Sequence, residues 1–98
     1  MQYEFYREED NGPLHIDKHD VTPVDISEFF EEIKSFKYQR RDGAWVAIGR
    51  LKNGRNLEVI YRLFPEDSVY IITAYDIEDK QTLHYLKDAL EDYYGKNF

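Results

Sequence analysis

The chain contains no cysteine. That excludes a disulfide framework, a thiol nucleophile and any thiolate zinc site, and it is compatible with a reducing compartment. Long apolar runs are missing as well. No segment approaches the ~18 uninterrupted apolar residues of a membrane span, and the opening Met1-Gln2-Tyr3-Glu4-Phe5-Tyr6-Arg7-Glu8 holds no secretory apolar block. The expectation is a soluble, cytoplasmic protein with no membrane partner. There is no Gly-rich phosphate loop, serine triad or recognisably spaced pair of catalytic carboxylates, so no cofactor is expected. His15 and His19 lack a third ligand nearby, and no metal site is expected either. Repeats, low-complexity tracts and linkers are also absent; the longest turn-rich stretch is Glu8-Glu9-Asp10-Asn11-Gly12-Pro13. One domain, residues 1–98, carries everything, and its nine Tyr and six Phe must supply much of the packing.

What the chain does have is a segregation of charge. Residues 35–64 carry seven Lys/Arg against two acids, whereas residues 1–34 carry three against ten and residues 65–98 carry three against eight. With a net charge of −7 the whole molecule repels phosphates, so only a local patch would bind them. The anion that meets this basic island is RNA, another protein or the chain's own acidic helices.

Two turn signals, Asp42-Gly43 and Asn53-Gly54, divide the island into three strands. Two-residue turns set Arg41 opposite Ala44 and Lys52 opposite Arg55. One face then gathers Val46, Ile48, Leu57, Val59, Tyr61 and Leu63 as the core side, with Lys37, Gln39, Arg41 and Arg50 at its margins. The other gathers Phe36, Tyr38, Arg40, Trp45, Ala47, Gly49, Glu58, Ile60 and Arg62, an aromatic and charged surface open to a partner. Val69 to Tyr75 is apolar on both alternations and reads as a fourth strand, its register unfixed.

Around the meander stand helices. Thr22 as N-cap, Pro23 at the first position, Asp25 on the dipole and the stripe Ile26, Phe29, Phe30, Ile33 predict a helix over 23–34, with Glu28, Glu31 and Glu32 on a solvated acidic face. Leu83, Leu86, Leu90, Tyr93 and Tyr94 predict a last helix over about 77–94, stopped by Gly95. Tyr3 and Phe5 suit a short strand, and a short helix runs from Gly12-Pro13 to Lys18 or His19. The fold class is α+β, with N-terminal helices, a four-stranded antiparallel meander and a C-terminal helix.

Three blocks carry a family resemblance. Lys18-His19-Asp20-Val21, followed by an acidic amphipathic helix, is similar to the Lys-His-Gly-Val segment of the BrnT-like toxins, which have the RelE/ParE-like toxin fold. Gly49-Arg50-Leu51-Lys52-Asn53-Gly54-Arg55-Asn56-Leu57-Glu58-Val59-Ile60-Tyr61 resembles that family's Gly-x-Thr-x-x-Gly-Arg-x-Leu-x-Val-Val-Phe/Tyr. Val69 to Ala74 resembles its Val-x-Val-Ile-Thr-Ala strand. The chain departs from the pattern at Asp20, where Gly is usual, at Tyr75-Asp76, where Arg follows Thr-Ala, and in an acidic rather than basic last helix.

The resemblance implies a toxin of a type II toxin-antitoxin pair, a metal-independent ribonuclease inhibiting translation, or a diverged relative that has lost cleavage. Such chemistry needs a base for the ribose 2'-hydroxyl, cations for the phosphorane and an acid for the leaving oxygen. The candidates are His19 for proton transfer, with Lys18 and Arg55 stabilising charge. Arg40 and Arg62 would clamp phosphate, and Tyr38, Trp45 and Tyr75 would form a stacking surface or weak acid. The implied partners are an antitoxin covering the cationic sheet face, and RNA or the ribosome. The alternative is a non-enzymatic module whose cationic face docks an acidic protein or a second copy of the chain, or a structural subunit.

Overall fold

Thr22 begins the first helix as its side chain demands. Its Oγ accepts from the Asp25 N–H at 3.1 Å, and the Asp25 carboxylate accepts from the Thr22 N–H at 3.0 Å, a reciprocal cap reinforced by Pro23 in the first turn. In the computed structural model, which describes residues 1–95, this helix, α1, spans Pro23–Glu31 and buries Ile26 and Phe29. It ends earlier than the apolar stripe suggests because the Glu28 carbonyl takes both the Glu32 and the Ile33 N–H, at 2.9 and 3.2 Å. The other elements are β1 (Gln2–Phe5), a 3-10 helix His15–His19, β2 (Ser35–Gln39), β3 (Trp45–Arg50), β4 (Asn56–Phe64), β5 (Ser68–Asp76) and α2 (Lys80–Tyr94). α2 starts after its expected position because Asp79 caps it, accepting from the Thr82 N–H at 2.8 Å, while Ile77 still donates to Asn56 O at 2.9 Å, beside the sheet. No described helix is long and apolar enough to cross a membrane.

The fold is α+β, but the sheet is five-stranded and mixed, not the expected four-stranded antiparallel meander. Its order is β1-β5-β4-β3-β2: the four later strands run antiparallel to their neighbours, and β1 lies parallel to the outer edge of β5. Gln2 N–H donates to Asp67 O at 3.0 Å and Tyr6 N–H to Ile71 O at 2.9 Å, so the opening segment covers an edge that β5 would otherwise leave bare.

Both island turns hold three residues between their closing pair, not two. Arg40 N–H donates to Ala44 O at 2.7 Å and Leu51 N–H to Arg55 O at 2.8 Å, with Gly43 at φ 91° and Gly54 at φ 93° in the left-handed position that this loop requires. Each turn therefore shifts the register by one residue. Trp45, Ala47 and Gly49 lie beside Tyr61, Val59 and Leu57 on the α1 side, while Val46 and Ile48 belong to the opposite face, the reverse of the two-residue expectation. In β5 a bulge does similar work. Ile60 pairs with Thr73 but Tyr61 with Ile71, which leaves Ile72 as the extra residue and brings Val69, Ile71 and Ala74 into one core cluster. Apolar residues on both alternations of this strand follow from that change of parity.

The two faces are covered unequally. The α1 side holds the main core: Ile16, Val21, Ile26, Phe29, Ala47, Leu51, Leu57, Val59, Tyr61, Val69, Ile71 and Ala74. Against α2 only Ile48, Ile77, Leu86 and Leu90 are buried together, with Phe36 and Leu83 beside them. Gly49 lets α1 sit close to the sheet, since a Cβ there would lie 2.8 Å from Ile33 Cδ1 and 2.9 Å from Phe29 Cε2. Gly49→Ala is therefore expected to destabilise the protein by about 1–3 kcal/mol through overpacking, read as a lower urea midpoint with an unchanged slope.

Candidate functional site

All but one of the nominated side chains fall into three places, and Trp45 lies apart from them. At one end of β5 the 3-10 helix presents Lys18 and His19, and Asp20 closes it in the left-handed conformation at φ 55°. The Glu8 carboxylate takes the exposed Lys18 ammonium and lies 3.2 Å from His15 Nδ1. These two bonds, Lys18's first, hold the Glu8 carboxyl below the usual carboxylate range. The half-buried His19 ring lies edge-on to His15 at 5.7 Å and to Tyr75 at 5.9 Å between centroids. Tyr75 Oη donates to the Glu58 carboxylate. Burial, and then that carboxylate, push the Tyr75 phenol well above 10.0. His19 and Tyr75, far apart in sequence, are thus brought together.

Arg55 lies beneath this group and is fully engaged. Nη1 donates to Asp20 O at 2.7 Å and Nη2 to His19 O at 3.3 Å; Nε and Nη2 form a fork on Asp76 at 3.0 and 3.1 Å; and Asp25 lies 3.7 Å from Nη1. The Asp76 hydrogen bonds raise the guanidinium's pKa above its ordinary value. Arg55 positions the backbone under His19. Asp76, two residues after the Thr73-Ala74 pair, is the carboxylate that occupies it.

At the β2–β3 turn Asp42 gathers two further candidates. Arg40 Nη2 lies 2.6 Å from its carboxylate, and Arg62 Nη1 donates to its backbone carbonyl at 3.1 Å. Trp45 is not with them. It packs half-buried on the α1 side with Lys37 Nζ 5.2 Å above its ring, because the three-residue loop turned β3 over. The expected surface uniting Trp45 with Tyr38, Arg40 and Arg62 is therefore not formed.

The third place is a groove of about 710 Å³ between β2 and the first turns of α2. Phe36, Tyr38 and Ile48 face Gln81, Thr82 and Tyr85 across it, and Glu58 also lines it. Lys34 Nζ stands 5.6 Å over Phe36 and 4.9 Å over Tyr93. Of the nominated residues only Tyr38 lines this groove, and it is 62% exposed. Glu58 was not nominated, although a carboxylate between Leu57 and Val59 in a central strand was the available signal. Lys34 and Tyr85 carried none, being placed by the packing of α2. Among the described residues no group of three or more His, Asp or Glu is arranged to hold a metal.

Two outcomes follow. Arg55→Ala is expected to cost about 2 kcal/mol, since it removes charge-assisted bonds from a partly buried site, and to loosen the His19 ring contact seen in NMR shifts. Tyr75 keeps its proton longer folded than unfolded. Its contribution is therefore complete below the unfolded value of 10.0 and is lost as pH rises towards the folded one. Alkaline unfolding should begin above about pH 10, be less steep in Tyr75→Phe, and show in a phenolate absorbance titration one fewer late-ionising tyrosine. Comparison with family models, curated proteins and solved structures returns no match, so the chemistry of these side chains is what bears on function.

Proposed function

We propose that the chain is a diverged BrnT-like protein that works by binding a protein partner, as the bound member of an antitoxin-type pair, and does not cut RNA. One observation carries the reading: of the cations nominated for phosphate, Arg55 is spent within the fold, and Lys18, Arg40 and Arg62 each already have a partner at the surface. Lys18 is on Glu8, Arg40 on Asp42, and Arg55 on Asp76 with two backbone carbonyls. A phosphorane at Arg55 would have to displace both the Asp76 fork and the bonds to the His19 and Asp20 carbonyls that hold this segment. Tyr75, with its raised pKa and its proton directed at Glu58, is a poor donor to a leaving oxygen at neutral pH. The exposed groove, by contrast, offers aromatic area and, in Lys34, a cation held by rings rather than by a carboxylate, material of a protein-binding surface.

The second reading is the metal-independent ribonuclease. It is favoured by the meeting of His19 with Tyr75 beside Lys18, and by the exposure of the Lys18–Glu8 pair, which an incoming phosphate would open at little cost. In this case His19 takes the 2'-hydroxyl proton as that oxygen bonds to phosphorus, Lys18 meets the phosphorane, and the 5'-oxygen leaves with a proton from the His19 imidazolium or water.

Induction of the wild type and of a Lys18→Ala/His19→Ala double variant, with growth and RNA integrity followed together, separates the two. The expected result is undiminished growth and intact free and ribosome-bound RNA for both chains. Cleavage by the wild type that the double variant loses overturns the binding reading and establishes the ribonuclease.

A further inference from the structure

Resting on the partner-binding reading, we infer that the groove takes an acidic, extended polypeptide segment of a partner protein, added to β2 as a sixth strand. β2 has β3 on one side and no strand on the other. Arg40 N–H donates to Ala44 O, which places Arg40 in an inward pair. Antiparallel alternation then directs Tyr38 and Phe36 towards β3 and leaves the N–H and C=O of Lys37 and Gln39 on the open edge. These are unpaired ladder groups with the right spacing for another strand.

The side chains define the occupant. On the α2 side of the edge, Phe36 and Tyr38 form an aromatic strip, and the helix wall opposite is uncharged, made of Gln81, Thr82 and Tyr85. An apolar or aromatic side chain alternating inward would lie between them. The charges on and beside the edge are cationic: Lys34 rests on aromatic rings, Lys37 rests on Trp45, and no carboxylate of the described residues lies within ion-pair distance of either. A second copy of the chain does not fit. In the antiparallel register that overlaps all of β2 with itself, Lys37 faces Lys37 and Lys34 faces Arg40, a ladder of like charges. A strand bearing an acid opposite Lys37 reverses that repulsion, while its alternate side chains fall on the aromatic strip. RNA offers the charge but no row of backbone donors and acceptors for the edge, and the surrounding chain carries a net charge of −7.

The probe is a labelled synthetic peptide in which Glu alternates with Val and Tyr, titrated by fluorescence anisotropy against the full chain. A peptide with Lys in place of Glu, and an oligouridylate, serve as the other arms. The acidic peptide is expected to bind and the other two not to, with slowed amide exchange at Lys37 and Gln39. Lys37→Glu should weaken binding about tenfold, and so should Lys37→Pro, which removes an outward N–H that the fold itself does not use. Thermal melts of both variants confirm that each is folded. Absence of acidic-peptide binding, or preference for the oligouridylate, overturns the inference. If the peptide binds Lys37→Pro as tightly as the wild type, strand addition is wrong while partner binding stands. RNA cleavage in the growth assay would sink the underlying reading instead.

Discussion

A single guanidinium joins four segments that are remote in sequence. Arg55 leaves the β3–β4 hairpin and reaches the last carbonyls of the 3-10 helix, the first turn of α1 through Asp25, and the end of β5 through Asp76. Its planar fork of donors suits this, since one rigid group satisfies carbonyls and carboxylates in different directions. Without it, the 3-10 helix would keep its buried Ile16 and the His15 N–H bond to Tyr6 O, but its last turn, closed by the left-handed Asp20, would lose its tie to the end of β5. The contact of His19 with Tyr75 is a consequence of that anchoring. The residue that resembles a catalytic arginine is thus the one on which the site's geometry depends.

Much of the fold was legible because local chemistry dictates it. The Thr22–Asp25 cap, the apolar stripes of both helices and the glycine turns each act within a few residues, and each element they mark is present. Register was harder to read, because Asp42-Gly43 marks a turn without counting the residues in it. The same glycine serves a two-residue loop or closes a three-residue one, and the choice inverts a strand. The two slips cancel across the meander, so β2 and β4 keep their expected faces and β3 alone is turned over. Ala47 and Gly49, the small residues that α1 needs beneath Phe29 and Ile33, held the clue. The pairing of β1 with β5 had no local signature, since it depends on which edge the finished meander leaves uncovered.

Charge was legible in the same partial way. The basic island exists in sequence, yet in space much of it is answered by the chain's own acids. Glu28 and Glu32, expected on a solvated face, accept the Lys52 N–H and meet its ammonium, each at 2.6 Å; Glu31 accepts from Tyr3 Oη at 2.6 Å. The acidic helix α1 therefore holds the sheet's turn in place, and of the three anions open at the outset the internal one accounts for a large share. Among the cations that no carboxylate pairs, Lys37 of the island and its neighbour Lys34 rest on aromatic rings, and both stand where the sheet ends.

That position is set by the unequal covering of the sheet. α2 begins only after Asp79, so it reaches the Ile48 and Phe36 end of its face and stops short of closing over Tyr38. The groove that remains is not isolated from the His19 cluster. Glu58 lines it and accepts the Tyr75 proton, and Tyr75 carries the edge of His19. Any occupant that displaces Glu58 must either break the Tyr75 bond or move that ring, and with it the contact to His19. An occupant that displaces Glu58 is therefore physically coupled to the Tyr75–His19 contact through one carboxylate.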